Sequence, residues 1–236
     1  MNCCTTLGNP NLLMSQYDFD NFHFDGEWDD AEEITWGESE WQKYLSCSES
    51  EITRFITIYN SVIERADRLD EAAHLMGWDR EDWAIGEDDE LQEECTDEIS
   101  SEESFGANAP YTIHRHPVYI ATAALYLHAR KNWEHFLSVG GAKTDAQFVW
   151  KYASSLRDGE MHASLGVQCL DLGDNQLAVC HFKQAHSALN ETLRMNSHLS
   201  NLHPHLPSLP KYQEDIRKRL LDLREIWLRV IQECRR

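Results

Sequence analysis

Histidines and carboxylates are the side chains here with the most chemistry to offer, and both are clustered. Ten of the twelve histidines follow residue 106, and two His-x-His pairs, His114/His116 and His203/His205, stand beside prolines. If those two loops met in space, four imidazoles would close a tetrahedral zinc site. Nothing in the sequence brings the loops together, and proline-flanked histidine loops are commonly just exposed. These four are therefore the chain's metal candidates, with no bound metal expected. A di-iron bundle needs Glu-x-x-His pairs facing one way on a helix. Here Glu160 and His162 are two apart and Glu134 and His135 are adjacent, so neither pair shares a face. The carboxylate runs at 87–90 and 93–103 lack the alternating ligands, central Gly and closing Glu of a calcium loop.

Other catalytic signatures are missing. The chain has no G-x-G-x-x-G, no phosphate-binding loop ending in Gly-Lys-Ser or Gly-Lys-Thr, and no G-x-S-x-G elbow. His181 in H-F-K-Q-A resembles a phosphotransfer histidine, without the small residues that surround such a site. Seven scattered cysteines, with no C-x-x-C, suit reduced thiols in a cytoplasm rather than a disulfide framework. No basic segment followed by an apolar run opens the sequence, and no apolar stretch approaches about 18 residues. The expectation is a cytoplasmic, non-enzymatic chain with no cofactor and no membrane contact.

Helices must position whatever these residues do, because no run of β-branched residues alternates with polar ones. Ser48-x-x-Glu51 reads as a capping box opening a helix to Gly77. Its apolar face is Ile52, Phe55, Ile56, Tyr59, Val62, Ile63, Ala66, Leu69, Ala73 and Met76. Pro117 suits the first turn of a second long helix, stopped at Gly140-Gly141. Thr144-x-x-Gln147 reads as another capping box, for a helix carrying Ala146, Phe148, Val149, Trp150 and Ala153. A last helix carries Tyr212, Ile216, Leu220, Leu223, Trp227, Val230 and Ile231 on one stripe. Arg217, Lys218, Arg219, Arg224 and Arg229 lie on its remaining surface, where they can receive the acidic half of the chain.

Between these lies the most informative stretch, 159–191. It reads as two short helices broken at Leu172-Gly173-Asp174-Asn175, with Leu165, Gly166, Cys169 and Leu170 facing Ala178, Phe182 and Ala185. Small residues permit close backbone approach, and Phe182 fills the space between.

That stretch resembles a tetratricopeptide repeat. Leu165-Gly166, the turn at Gly173-Asp174, and Ala178, Phe182 and Ala185 stand at the family's spacings. His162 replaces a large aromatic, Cys169 a Tyr and Asn190 a closing Pro. Upstream, Gly141, Ala146, Trp150 and Ala153 repeat the intervals without the preceding Leu-Gly. The resemblance implies stacked helical hairpins and a groove lined by the first helix of each pair, here Glu160, Ala163, Val167 and Leu170. Those four lack the Lys and Asn pattern that clamps a C-terminal carboxylate.

Charge divides the chain. Residues 1–105 hold 29 acidic and 5 basic side chains, whereas 106–236 hold 12 and 16. The acidic half repels nucleic acid and anionic lipid. It can serve as a solubilising surface, as a dock for a basic partner, or as a mimic of a nucleic-acid backbone. From Gln16 to Tyr44, aromatic and acidic residues interleave as in an extended arm. The organisation expected is therefore an acidic aromatic arm at 1–50, an amphipathic helix with acidic linker at 51–109, and a tetratricopeptide-like domain at 110–236. The fold class is all-α, with antiparallel hairpins stacked as a short solenoid or bundle. The function expected is adaptor or scaffold, binding another protein or peptide, with a basic one suiting the acidic half. Dimerisation is one way to cover the helix at 51–77. The alternatives are a metal-binding helical bundle using the histidines, and an acidic mimic that occupies a basic protein.

Overall fold

The computed structural model describes residues 36–78, 112–139 and 144–236, all within one compact unit. The arm before residue 36, the linker at 79–111 and the Gly140-Gly141 stop lie outside the described residues. Within them the fold is all-α, with six α-helices, one 3-10 turn at Ile113–Arg115 and no strand. The helices are α1 (Glu38–Val62), α2 (Arg68–Met76), α3 (Pro117–Val139), α4 (Ala146–Asp171), α5 (Asn175–Leu202) and α6 (Leu209–Glu233).

Four of them close on one another. Helix α3 packs on α4, α4 on α5, α5 on α6, and α6 returns to α3, an up-down bundle with short connections. Ring contacts fix the direction. His203, just past α5, lies 5.6 Å from Phe136 near the end of α3. Tyr212, early in α6, stacks on the same Phe136 at 5.2 Å. Aromatic rings fill the bundle, with Trp133 on Tyr152 at 4.2 Å and Tyr126 on Trp227 at 6.2 Å. The Trp227 indole N–H donates to Thr122 at 3.2 Å, so its burial leaves no orphaned donor. Helices α1 and α2 pack on each other, and α1 lies against α3.

Two mid-helix glycines in α4 are explained by packing. A Cβ at Gly166 would stand 2.9–3.1 Å from three carbons of the Phe182 ring, and one at Gly159 would overlap the Tyr126 hydroxyl. Ala178, Phe182 and Ala185 are fully buried on the facing helix. The hairpin turns at Gly173, whose φ of 76° is left-handed, and Asp174 caps α5 by accepting from the Leu177 N–H at 3.0 Å.

Helix boundaries differ from the sequence reading in three places. Helix α1 begins at Glu38, so Ser48 is an interior, buried residue and no cap. The helix expected through Gly77 breaks after Val62, and Ala66 is exposed in the break. No Gly or Pro marks that break. On its exposed side Arg65 bonds Asp67 and Glu71. Finally, α4 runs 26 residues without interruption where two helices were expected, and its cap is Asp145, accepting from the Phe148 N–H at 3.1 Å. Thr144 bonds His203 instead, at 2.8 Å.

Candidate interaction surfaces

The histidine pairs are held apart by α3. His116 directly precedes Pro117 at one end, its Nδ1 accepting from the Val118 N–H at 3.2 Å. His203 packs on Phe136 at the other. About 20 residues of helix separate the two pairs, or roughly 30 Å. The four imidazoles therefore do not form one site. His114 sits edge-on to Tyr44 and Tyr119, and His205 is exposed. Burial lowers the pKa of both His114 and His116; for His116 the charge of Asp171 partly offsets it. Among the described residues, no group of three or more His, Cys, Asp or Glu side chains is arranged to hold a metal ion.

The expected groove residues divide in two. Ala163 and Val167 are fully buried, because they lie on the core-facing side of α4 with Gly159 and Gly166. No partner reaches them while the bundle is closed. Leu170 is partly buried against the core, and Glu160 pairs with Arg130 of α3. Leu165 is partly covered on the flank of α4. His162 and His181 stack across the α4–α5 seam at 5.7 Å.

What α4 presents outward is a different set. Ala146, Trp150, Ala153, Arg157 and Met161 recur at three- and four-residue intervals and are all exposed, Trp150 at 69% and Met161 at 46%. Three of these are the upstream residues that the sequence reading placed in repeat packing. They face solvent because α4 continues unbroken and buries the opposite side, through Tyr152, Ser155, Leu156 and Gly159. A cleft of about 270 Å³ opens between the first turns of α4 and the later half of α5. Phe148 and Met195 line it together with Lys151, Arg194 and His198. Arg194 is already held by Glu191 through two bonds, at 2.8 and 2.5 Å.

A polar network under α6 was not anticipated, since its members read as surface charges. Asp222 accepts from Arg68 Nε at 2.6 Å and Nη2 at 2.5 Å, and from the Tyr59 hydroxyl. Arg219, only 4% exposed, donates to Asp215 at 3.1 Å and to Asn60 at 2.9 Å, with its guanidinium 5.3 Å from the Tyr59 ring centre. Asp215 also bonds His128 at 2.9 Å. Burial would raise the Asp215 pKa, but hydrogen bonds from His128 and Arg219, with their charges, bring it down to about 2. Tyr59 shifts upward, first through burial and then through its bond to Asp222. Every cation and carboxylate here is committed to a neighbour, so the network joins α1, α2, α3 and α6 and is structural. One signal was legible: Asp222 and Arg219 flank the apolar stripe of α6 closely enough to face α1. Further out, Lys218 pairs with Glu64 and Arg229 with Asp70, so these α6 cations do receive acids from earlier in the chain.

Helix α6 carries a second line besides its buried stripe. Arg217, Leu221, Arg224 and Leu228 are all exposed, the leucines at 37% and 42%. No helix among the described residues is long and apolar enough to cross a membrane. Comparison with family models, curated proteins and solved structures finds no match to this chain.

Proposed function

We propose that this chain is a non-enzymatic adaptor or scaffold that holds a segment of another protein against the outward face of α4. The observation carrying this reading is Trp150, 69% exposed on the outward row of α4, the helix whose first turns also line the Phe148–Met195 cleft. Tryptophan is enriched among residues that dominate binding energy, and a large ring left in water is a ready anchor. The neighbouring Ala146 and Ala153 leave room for a partner backbone to approach the ring, while Lys151 and Arg157 supply a polar rim. The tetratricopeptide-like hairpin supports the same use, with the docking face on the outside of α4 rather than at Ala163 and Val167. The test is a photo-crosslinking amino acid placed at Gln147 in the full chain, expressed in its native cells. A discrete adduct that Trp150→Ala removes supports the reading. Adducts that persist unchanged in Trp150→Ala, or none at all, overturn it.

A basic partner remains attractive for a second reason. Residues 79–111 contain thirteen carboxylates and a single Arg. Such a run attracts cations over roughly a Debye length, about 8 Å at physiological salt. Binding of that kind weakens steeply with salt, whereas an anchor at Trp150 does not.

A further inference from the structure

The outer line of α6 differs in chemistry from the α4 face. Arg217, Leu221, Arg224 and Leu228 follow at intervals of four, three and four residues. That is the spacing of a coiled-coil seam, which keeps a line facing one neighbouring helix over three turns. Helix α6 has no need of it for the bundle. Its core stripe of Ile216, Leu220, Leu223, Trp227, Val230 and Ile231 is separate and buried. The second line runs alongside α5 and leaves Leu221 and Leu228 partly open to solvent, at 37% and 42%. No carboxylate stands on the line. Glu225 lies beside it and is bonded to Arg229, and Glu214 reaches Arg217 only at 3.6 Å, in full solvent. Arg224 has no hydrogen bond or ion pair among the described residues. On α5 alongside, His186 has a buried Nε2 with no hydrogen-bond partner, and the charge of Arg224 is felt there.

We propose that this line docks an acidic amphipathic helix of another protein. Apolar side chains of that helix would pack on Leu221 and Leu228, and its carboxylates would bond Arg217 and Arg224. The two arginines, one heptad apart, favour carboxylates at the flanking positions of a facing helix. Leu221 between them and Leu228 beyond favour an occupant with an apolar face over a purely ionic ligand such as a phosphate chain. A second copy is disfavoured because symmetric pairing sets the arginine line against itself. The line spans about 16 Å, so the docked helix needs about 12 residues.

The test uses the full chain and a set of fluorescent Leu/Glu heptad peptides, shifted one residue at a time in register, with Leu/Lys versions as controls. Fluorescence anisotropy is expected to show binding of at least one Leu/Glu register and of no Leu/Lys peptide. Arg217→Glu with Arg224→Glu, and separately Leu221→Ser with Leu228→Ser, should each weaken binding at least tenfold. Thermal unfolding of both variants should match wild type, since these side chains face away from the core. Four outcomes overturn the proposal: no Leu/Glu register binding, equal binding by the variants, preference for duplex DNA, or a dimer that the Leu→Ser pair dissolves. Trp150→Ala should leave peptide binding intact, so this surface and the α4 face succeed or fail separately.

Discussion

At the scale of single residues, the bundle is most sensitive where atoms are closest or charges most enclosed. The Tyr126 hydroxyl is buried, lacks a hydrogen-bond partner, and lies where a Cβ on Gly159 would go. Gly159→Ala should therefore destabilise the protein by about 1–3 kcal/mol, as overpacking does. Tyr126→Phe alone should be neutral or stabilising, because it removes an unpaired polar group. Together the two should recover part of the loss, a coupling that urea denaturation of the four proteins would measure; strictly additive losses would refute it. Asp222→Ala strands Arg68 and Tyr59 at once and should cost about 3–5 kcal/mol, in line with breaking one side of a buried pair. Differential scanning calorimetry would register it as a large fall in Tm.

The same enclosed groups set the pH limits. Burial raises the pKa of Tyr126, Tyr152 and Tyr212, and burial with the Asp222 bond raises that of Tyr59. A phenol whose folded pKa exceeds its unfolded value stabilises fully below about 10 and progressively less above it. Tyrosinate absorbance from these rings should thus emerge together with loss of helical circular dichroism, not before it. Asp215 gives the opposite limb. Its folded pKa of about 2 lies below the unfolded value, so its contribution is complete above about pH 4 and lost as pH falls towards 2. Asp215→Asn should flatten that acid decline in urea midpoints measured across the range.

At the scale of elements, the sequence revealed type and packing better than extent. The helix opening at Pro117 and the hairpin turning at Gly173 were both legible, because Pro at a first turn and Gly in a left-handed turn have one physical meaning each. Gly173→Ala tests the latter. Nothing lies within 4 Å of its would-be Cβ, so the cost is backbone conformation alone, about 1 kcal/mol by chemical denaturation. Boundaries without such markers were missed. The apolar pattern runs straight through the break between α1 and α2, and no Gly or Pro marks it. The continuity of α4 was missed because the repeat-like reading opened a new helix at 159, whereas Gly159 lies within α4 and leaves space for Tyr126. The exposed row at Trp150 was misplaced for the same reason, since its periodicity was correct and its side was not. Which of two helix faces is buried depends on neighbours, and one helix's sequence does not name them.

On the scale of the molecule, charge is unevenly distributed along the chain. Residues 1–35 hold eight carboxylates with no Lys or Arg, and 79–111 hold thirteen with Arg80 alone. The other 168 residues have twenty acidic and twenty basic side chains, so the six helices belong to the balanced part. Balance is what allows Arg219, Asp222 and Asp215 to be enclosed, since each finds its counter-charge within the bundle. Chain order gives this a consequence for synthesis. Tyr59 and Arg68 find Asp222 more than 150 positions later, and Asn60 finds Arg219 159 later. Helices α1 and α2 thus leave the ribosome with the partners of these polar groups not yet made. While translation runs, Trp227's place beside Tyr126 is also empty. Ribosome-bound chains arrested before residue 209 should therefore be cut readily by protease, and chains released after α6 should resist it. Until α6 is made, the polar groups of α1 and α2 lack their counter-charges, and the last described helix supplies them.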